Sequence, residues 1–279
     1  MHPYFGASVA FATKHKKELL VQQLFKDKLN ISLVGTNTDT DQYGTFSGEV
    51  ERKLPPLETA ISKAPAGIKE SGLRFGVASE GTIGNDALLP IAVSDVEIMV
   101  LVDAERDLVI SESYRSFEIV NSSFLVDNSK DLKEFLLKVD FPRQKLIAKS
   151  SSVIEIKEVI KGISTIAELN SAIENLTKLN ANVILEPDFR AHNCPTRQNN
   201  IVKVGELLVQ RILSLCPNCQ TPGFGKTNYR RGLPCLQCKN LIPAAIAAEY
   251  LTCIACDYQS PEKIIRTELD PANCSNCNP

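Results

Sequence analysis

Eight cysteines fall as four C-x-x-C pairs, Cys216/Cys219, Cys235/Cys238, Cys253/Cys256 and Cys274/Cys277, in a chain of 279 residues that has nine cysteines in all. Cysteines spaced this way turn both sulfurs toward one ion from a tight knuckle, and two knuckles complete the tetrahedron that Zn²⁺ prefers. The chemistry implied is two structural zinc sites. The intervening 15, 14 and 17 residues suit ribbon-like hairpins. Four disulfides would need an oxidising compartment, and redox C-x-x-C motifs normally come singly on a βαβ unit. Sequential, nested and cross-braced pairings all close two sites. The spacing favours Cys235/Cys238 with Cys253/Cys256 as one ribbon, which leaves the outer pairs to share the second ion.

Polar clusters beside apolar runs are the other candidates. Thr13-Lys14-His15-Lys16-Lys17 opens an expected helix, where free backbone N–H groups and the helix dipole favour an anion, so Lys14 and Lys17 are candidate phosphate ligands. The competing reading is a solvated basic helix start. Carboxylates from Asp39 and Asp41 through Glu49 to Glu58, and Glu80 beside Gly81, could hold Mg²⁺ together with substrate phosphate oxygens. Glu49 and Glu80 are the expected ligands, Glu80 also as a catalytic carboxylate, because it ends an apolar strand and Gly81 permits close approach. Glu186, Asp188, Arg190 and His192 alternate along an extended run, with Arg197 close behind. There Arg190 and Arg197 would bind phosphate or carboxylate, with Asp188 or His192 carrying a proton. A structural salt-bridge network at a domain junction is the alternative. Cys194, inside this run, reads as a small buried filler.

The elements that must position these groups are those of an α/β protein, a mixed sheet with flanking helices. Val9 to Thr13 reads as a buried strand, the segment carrying Leu19, Leu20, Leu24 and Phe25 as a helix, and Ile31 to Val34 as a second, parallel strand. Pro55-Pro56 leads into a helix through LETAISKA, and Phe75 to Ser79 is a strand ending in the glycine-containing turn EGTIGND. Val96 to Val102 and Leu108 to Ser111 form a hairpin, with Ser116 to Val120 extending the sheet. Leu132 to Val139, Ile166 to Leu179 and Ile201 to Leu215 are amphipathic helices, the second opened by a Thr165-x-x-Glu168 capping box. Leu146 to Ala148 and Val183 to Leu185 are short strands. The expected domains are 1–215, catalytic or ligand-binding, and 216–279, the double zinc module.

A net charge of −2 gives no long-range attraction for polyanions. From Cys216 onward six Lys/Arg face five Asp/Glu, and zinc on eight thiolates leaves the module net negative outside Lys226 to Arg231. Nucleic acid is therefore not the expected partner. The start lacks a basic region before its apolar run, and no stretch is apolar for the about 18 residues of a membrane span, so the expected location is the cytoplasm.

The stretches FATKHKKE, TDTDQYGTFSGEVERKLPPLETAISKA, GVASEGTIG, RAHNCPTR and the cysteine tail ending CSNCNP resemble, across nearly the whole chain, a bacterial family catalogued as a domain of unknown function. Over roughly the first hundred residues the chain also resembles the inosine/xanthosine triphosphatase superfamily. Thr13 and Lys17 match the spacing of its phosphate loop, with Lys14 and His15 replacing the Asn-containing part. LETAISKA is similar to its E-N-A-x-x-K-A stretch, with Thr59 in the Asn position, and Glu80-Gly81 to its metal-binding acidic turn. That resemblance implies a triphosphatase-like fold and nucleotide chemistry. The expectation is a Mg²⁺-dependent hydrolase or transferase acting on a phosphorylated small molecule, such as a nucleotide, with two structural Zn²⁺ ions. The alternative is a non-enzymatic zinc-ribbon protein that contacts a protein or nucleic-acid partner.

Overall fold

The opening strand, helix and strand form as their periodicity requires. In the computed structural model, which describes all residues except 1, 15, 45–49, 128–130, 152–155 and 179–181, β1 (Ser8–Ala12) runs parallel to β2 (Ser32–Thr36), with Ser8 opposite Ser32 and Ala12 opposite Thr36. The crossover α1 (Glu18–Leu29) buries Val21, Phe25 and Leu29, one per turn, and ends at Asn30 in the left-handed conformation. The stripe is therefore centred on Phe25, and Leu19, one of the residues that set the helical period, is 55% exposed. A second crossover, α2 (Pro56–Ser71), is opened by Pro55-Pro56, closed by Gly72, and leads to β3 (Phe75–Asn85), parallel to β1.

β3 corrects the sequence reading. Glu80 and Gly81 stand mid-strand and not in a turn, because β4 (Val93–Asp103) pairs antiparallel with β3 along its full length, from Phe75 opposite Asp103 to Asn85 opposite Val93. Continuous ladder pairing outweighs the turn preference of the glycines. β5 (Leu108–Ser116) completes a five-stranded sheet of order β2-β1-β3-β4-β5. The strand stops at Ser116, so the expected extension to Val120 does not form.

A second sheet follows. It comprises β6 (Phe124–Val126), then, after α3 (Leu132–Lys138), β7 (Leu146–Ser151), β8 (Ile156–Ile163) and, after α4 (Ile166–Thr177), β9 (Asn182–Pro187). The order is β6-β9-β7-β8, antiparallel throughout. The Thr165/Glu168 capping box is present, and Leu169, Ala172 and Leu176 of α4 join Phe135, Leu146 and Leu185 in a core separate from that of the first sheet.

α5 (Pro195–Leu213) then packs beside α1 on the first sheet. It starts six residues before the expected Ile201, with Pro195 in its first turn, so that Arg197 is helical. The remaining chain forms a three-stranded ribbon, β10 (Lys226–Pro234), β11 (Leu241–Thr252) and β12 (Lys263–Ile264). Among the described residues no helix is long and apolar enough to cross a membrane.

Alternation along the first sheet decides what faces what. Val9 and Phe11, Phe75 and Val77, Met99 and Leu101 pack under α1 and α5, whereas Ala12, Ala78 and Val100 pack under Ala60 and Ala64 of α2. The two crossover helices thus lie on opposite faces. In a sheet of this order the crevice between the carboxyl ends of β1 and β3 is the switch point at which ligands collect.

Candidate functional site

β1 pairs with β3 only as far as Ala12 opposite Ala78, so Ser79, Glu80 and Gly81 lie just past the end of β1, at the switch point. Their alternation puts Ser79 and Gly81 on the α1/α5 face and Glu80 on the α2 face.

On the α2 face the buried Glu80 carboxylate is gripped from two sides. Lys63 of α2, itself buried, bonds Oε2, and the Arg52 guanidinium donates to Oε1 at 2.7 Å, to the Gly81 carbonyl at 2.7 Å and to Thr82 Oγ1 at 2.7 Å. Burial alone would raise the Glu80 carboxyl, but Lys63, Lys17 and Arg52 together hold it below the ordinary carboxylate range. The expected second Mg²⁺ ligand, Glu49, lies outside the described residues.

On the opposite face Lys17, at the N-terminus of α1, donates from Nζ to Ser79 Oγ at 3.2 Å, and its backbone N–H bonds Thr13 Oγ1 at 3.3 Å. Burial, followed by the charges of Arg197 and Lys63, lowers its ammonium to about 8 despite Glu97 and Glu80. Arg197, from the first turn of α5, is 1% exposed and donates from Nε to Glu97 Oε1 of β4 at 2.5 Å. Gly81 stands opposite Glu97 in the ladder, and any Cβ there would sit 2.6 Å from Glu97 Oε1. Glycine is needed at this position because the buried ion pair lies flat on its Cα.

Two residues along β4, Asp95 is 0% exposed and accepts from Asn200 Nδ2 at 2.7 Å. Among the described residues, Asp95 Oδ1 and Glu97 Oε2 are buried without hydrogen-bond partners. Burial, and then the neighbouring Glu97 charge, push the Asp95 carboxyl up to about 6 from 3.8. The folded state therefore holds this proton more tightly than the unfolded chain, so the contribution to stability is largest at low pH and is lost as pH rises from about 4 through about 6. Asp95→Asn should accordingly be more stable than the parent above pH 7, by on the order of 2 kcal/mol, with the gap closing toward pH 4. Urea midpoints at pH 4.5 and 7.5 test this, and a variant less stable at both would refute it.

Glu186, Asp188, Arg190 and His192 do not share one extended face as expected. β9 ends at Pro187, a short 3₁₀ turn spans Ala191–Asn193, and Pro195 opens α5. Asp188 is 0% exposed, and its carboxylate accepts from Arg190 N at 3.1 Å, Arg190 Nε at 3.0 Å, Arg190 Nη2 at 2.6 Å and Asn193 Nδ2 at 2.7 Å. Burial would raise its carboxyl, yet these donors hold it below the usual range. Such saturation fits a clamp on the chain leaving the second sheet, and it leaves Asp188 poorly placed to orient a water. His192 points outward from the same turn, its pKa lowered by partial burial and by Arg190. Arg197 links this turn to the crevice, since its Nη1 bonds the Phe189 carbonyl while its Nε bonds Glu97.

Of the residues expected from sequence, the structure gathers Lys17, Glu80 and Arg197. Asp188 and Arg190 flank Phe189, whose carbonyl accepts from Arg197. Lys14 is turned away onto Asp41 and Asp39 at the surface. Cys194 is buried, and burial raises its thiol to about 11, which fits a filler. The sequence reading missed Lys63, Ser79, Asp95, Glu97 and Asn200. The acids carried a signal: in SDVEIMVLVD, Asp95 and Glu97 occupy the positions that Met99 and Leu101 continue on the buried face.

The candidate metal-binding groups are distinct from the crevice. Cys216, Cys219, Cys253 and Cys256 form one group and Cys235, Cys238, Cys274 and Cys277 the other, with ligand atoms within 4.8 Å of one another in each. Sulfur separations of 3.8 Å (Cys216 to Cys256), 3.7 Å (Cys219 to Cys253), 3.8 Å (Cys235 to Cys277) and 3.8 Å (Cys238 to Cys274) match the edge of a tetrahedron whose metal–sulfur bonds are about 2.3 Å. The donor set therefore suits Zn²⁺, and these separations are too long for disulfides. The pairing is interleaved, which corrects the expected ribbon of Cys235/Cys238 with Cys253/Cys256. The β10–β11 hairpin pairs Lys226 with Thr252 at its base and Pro234 with Leu241 at its tip. Cys235/Cys238 thus sit at the tip and Cys253/Cys256 at the base, separated by a strand of about 30 Å.

This is an α/β protein with a switch-point crevice and two four-cysteine groups that could each hold a metal ion. Residues 63–279 match the family described as a domain of unknown function, DUF6671, and the chain belongs to it. The match includes Lys63, Glu80, Glu97, Arg197 and all eight metal-site cysteines, while Lys17 and Arg52 precede it. No curated protein matches the chain.

Proposed function

We propose that the chain is a hydrolase or transferase of a phosphorylated small molecule, a nucleotide being the first candidate, bound at the β1/β3 crevice. One observation supports this above the others. Lys17 is a partly buried cation at a helix N-terminus whose described side-chain hydrogen bond goes to a neutral hydroxyl, while Glu80 is already matched by Lys63 and Arg52 and Glu97 by Arg197. A phosphate placed there would meet Lys17 and the positive end of the α1 dipole together.

Mg²⁺ does not fit Glu80 as it stands, because both carboxylate oxygens hold cations. No step is therefore routed through the metal, and Mg²⁺ dependence is a readout of the test. Lys17, and Arg197 behind it, would bind and orient the phosphate; neither Asp188 nor His192 is placed in the crevice.

The test is thermal shift and phosphate or pyrophosphate release with nucleoside triphosphates and sugar phosphates, with and without Mg²⁺. A phosphorylated ligand should raise Tm at pH 7 and lose effect as pH climbs past about 8, where Lys17 gives up its proton. Lys17→Met should weaken binding at least tenfold, about 1.4 kcal/mol, at pH 7. No shift and no release from any of these compounds would overturn the reading. That outcome would favour a binding protein, for which the saturated Asp188 network already argues locally, as a junction clamp.

A further inference from the structure

The two metal sites are embedded differently. The tip site is built into the ribbon's own small core, where Cys235 and Cys274 pack with Leu233, Ala247 and Leu269. The base site is sewn to the α/β body. Ile254, lying inside the Cys253-x-x-Cys256 knuckle, packs against the core shared by α1, α5 and the first sheet. Gly223, at φ +93, is squeezed between Ile110 of β5 and Ile254. The N–H groups of Gly223 and Phe224 both bond the carbonyl of Ser214, which caps α5, at 2.9 and 3.0 Å. Arg211, in the last turn of α5, donates to Glu112 of β5 at 2.5 Å and to the Phe224 carbonyl at 3.2 Å.

The same helix reaches the crevice at its other end. α5 is 19 residues long, a rod of roughly 28 Å. Its first turns carry Arg197 and Asn200 against Glu97 and Asp95, and its last residues run through Leu215, bridged to Pro222, into the buried ligand Cys216.

We infer that the two sites have different jobs. The metal held by Cys216, Cys219, Cys253 and Cys256 anchors α5, and with it the Arg197 side of the crevice, whereas the metal held by Cys235, Cys238, Cys274 and Cys277 stabilises only the ribbon. Loss of the base metal frees the Cys253–Cys256 knuckle, withdraws Ile254 from the core and removes the support beneath Ser214 and Arg211. Loss of the tip metal leaves all of those contacts in place. The base site is thus a point at which zinc supply or thiol oxidation would reach the crevice. This inference does not depend on what the crevice binds.

Hydrogen exchange by mass spectrometry on the full chain, with zinc content measured in parallel, tests it. Cys219→Ser should cost one zinc and speed exchange of the α5 amides at least tenfold. Cys277→Ser should also cost one zinc, but raise exchange only in residues 226–279 and leave α5 within twofold. Ile254→Ala, which removes no ligand, should keep both zincs and still loosen the C-terminal half of α5, so it decides the matter should Cys219→Ser fail to fold. Equal loosening of α5 by the Cys219 and Cys277 variants, or unchanged α5 protection in Ile254→Ala, would overturn the inference.

Discussion

Purified under reducing conditions, the protein is expected to carry two zinc ions per chain, and stripping both with a chelator should unfold residues 216–279 and lower Tm by more than about 10 °C. The size of the effect follows from how little else holds this region. Its described core is confined to Leu233, Ala247, Leu269 and the cysteines with a few half-buried neighbours, and its ion pairs, Arg230 to Glu262, Lys239 to Glu268 and Lys263 to Glu249, are solvent-exposed. Exposed pairs contribute about 0–1 kcal/mol each, whereas structural zinc is bound by small peptides with about 10–16 kcal/mol. Elemental analysis and near-ultraviolet circular dichroism before and after chelation give the answer. A zinc-free preparation whose eight cysteines are joined as disulfides would sink the assignment.

The second large effect is expected at Glu97. Glu97→Ala leaves the Arg197 guanidinium buried beneath α5 without its carboxylate, at a cost of about 3–5 kcal/mol read from urea unfolding. Replacing both, as Glu97→Leu with Arg197→Met, should recover most of that loss, because an apolar pair removes the charge that needs compensation. The recovery separates the electrostatic argument from mere loss of packing. A single-variant loss below 1 kcal/mol, or a double variant as unstable as the single one, would show that water reaches the pair.

What could be read ahead of the structure divides along physical lines. The helices from Leu132, Ile166 and Pro55-Pro56, the first two strands and the hairpin from Val96 were legible, since each carries a strong period or a capping signal within its own residues. The metal ligands were legible from spacing, but their pairing was not, because it is fixed by the length of the β10–β11 hairpin. β3 was read too short, since Gly81 and Gly84 mark turns locally and only β4, some twenty residues on, supplies the ladder that keeps them extended. Three residues of the crevice, Lys17, Glu80 and Arg197, were visible, each beside an expected element boundary, which for Glu80 proved to be mid-strand. The rest, Lys63, Ser79, Asp95, Glu97 and Asn200, sits within helices and strands, where the only local signal was the alternation of Asp95 and Glu97 with Met99 and Leu101. Asp188 was noticed for its charged surroundings, and those surroundings turned out to consume it.

The alternation of Ser79, Glu80 and Gly81 across the sheet also bears on how the chain avoids misassembly. A slip of β3 by one residue would carry Glu80 to the face already held by Glu97 and Asp95 and leave Lys63 without its carboxylate. It would also drive a larger side chain into the space that Gly81 leaves for the Arg197–Glu97 pair. Hydrophobic burial alone would punish such a slip weakly here, because β3 at this point is flanked by polar groups on both faces. Charge and steric exclusion therefore take over as the guardians of register along the part of the strand where apolar side chains run out.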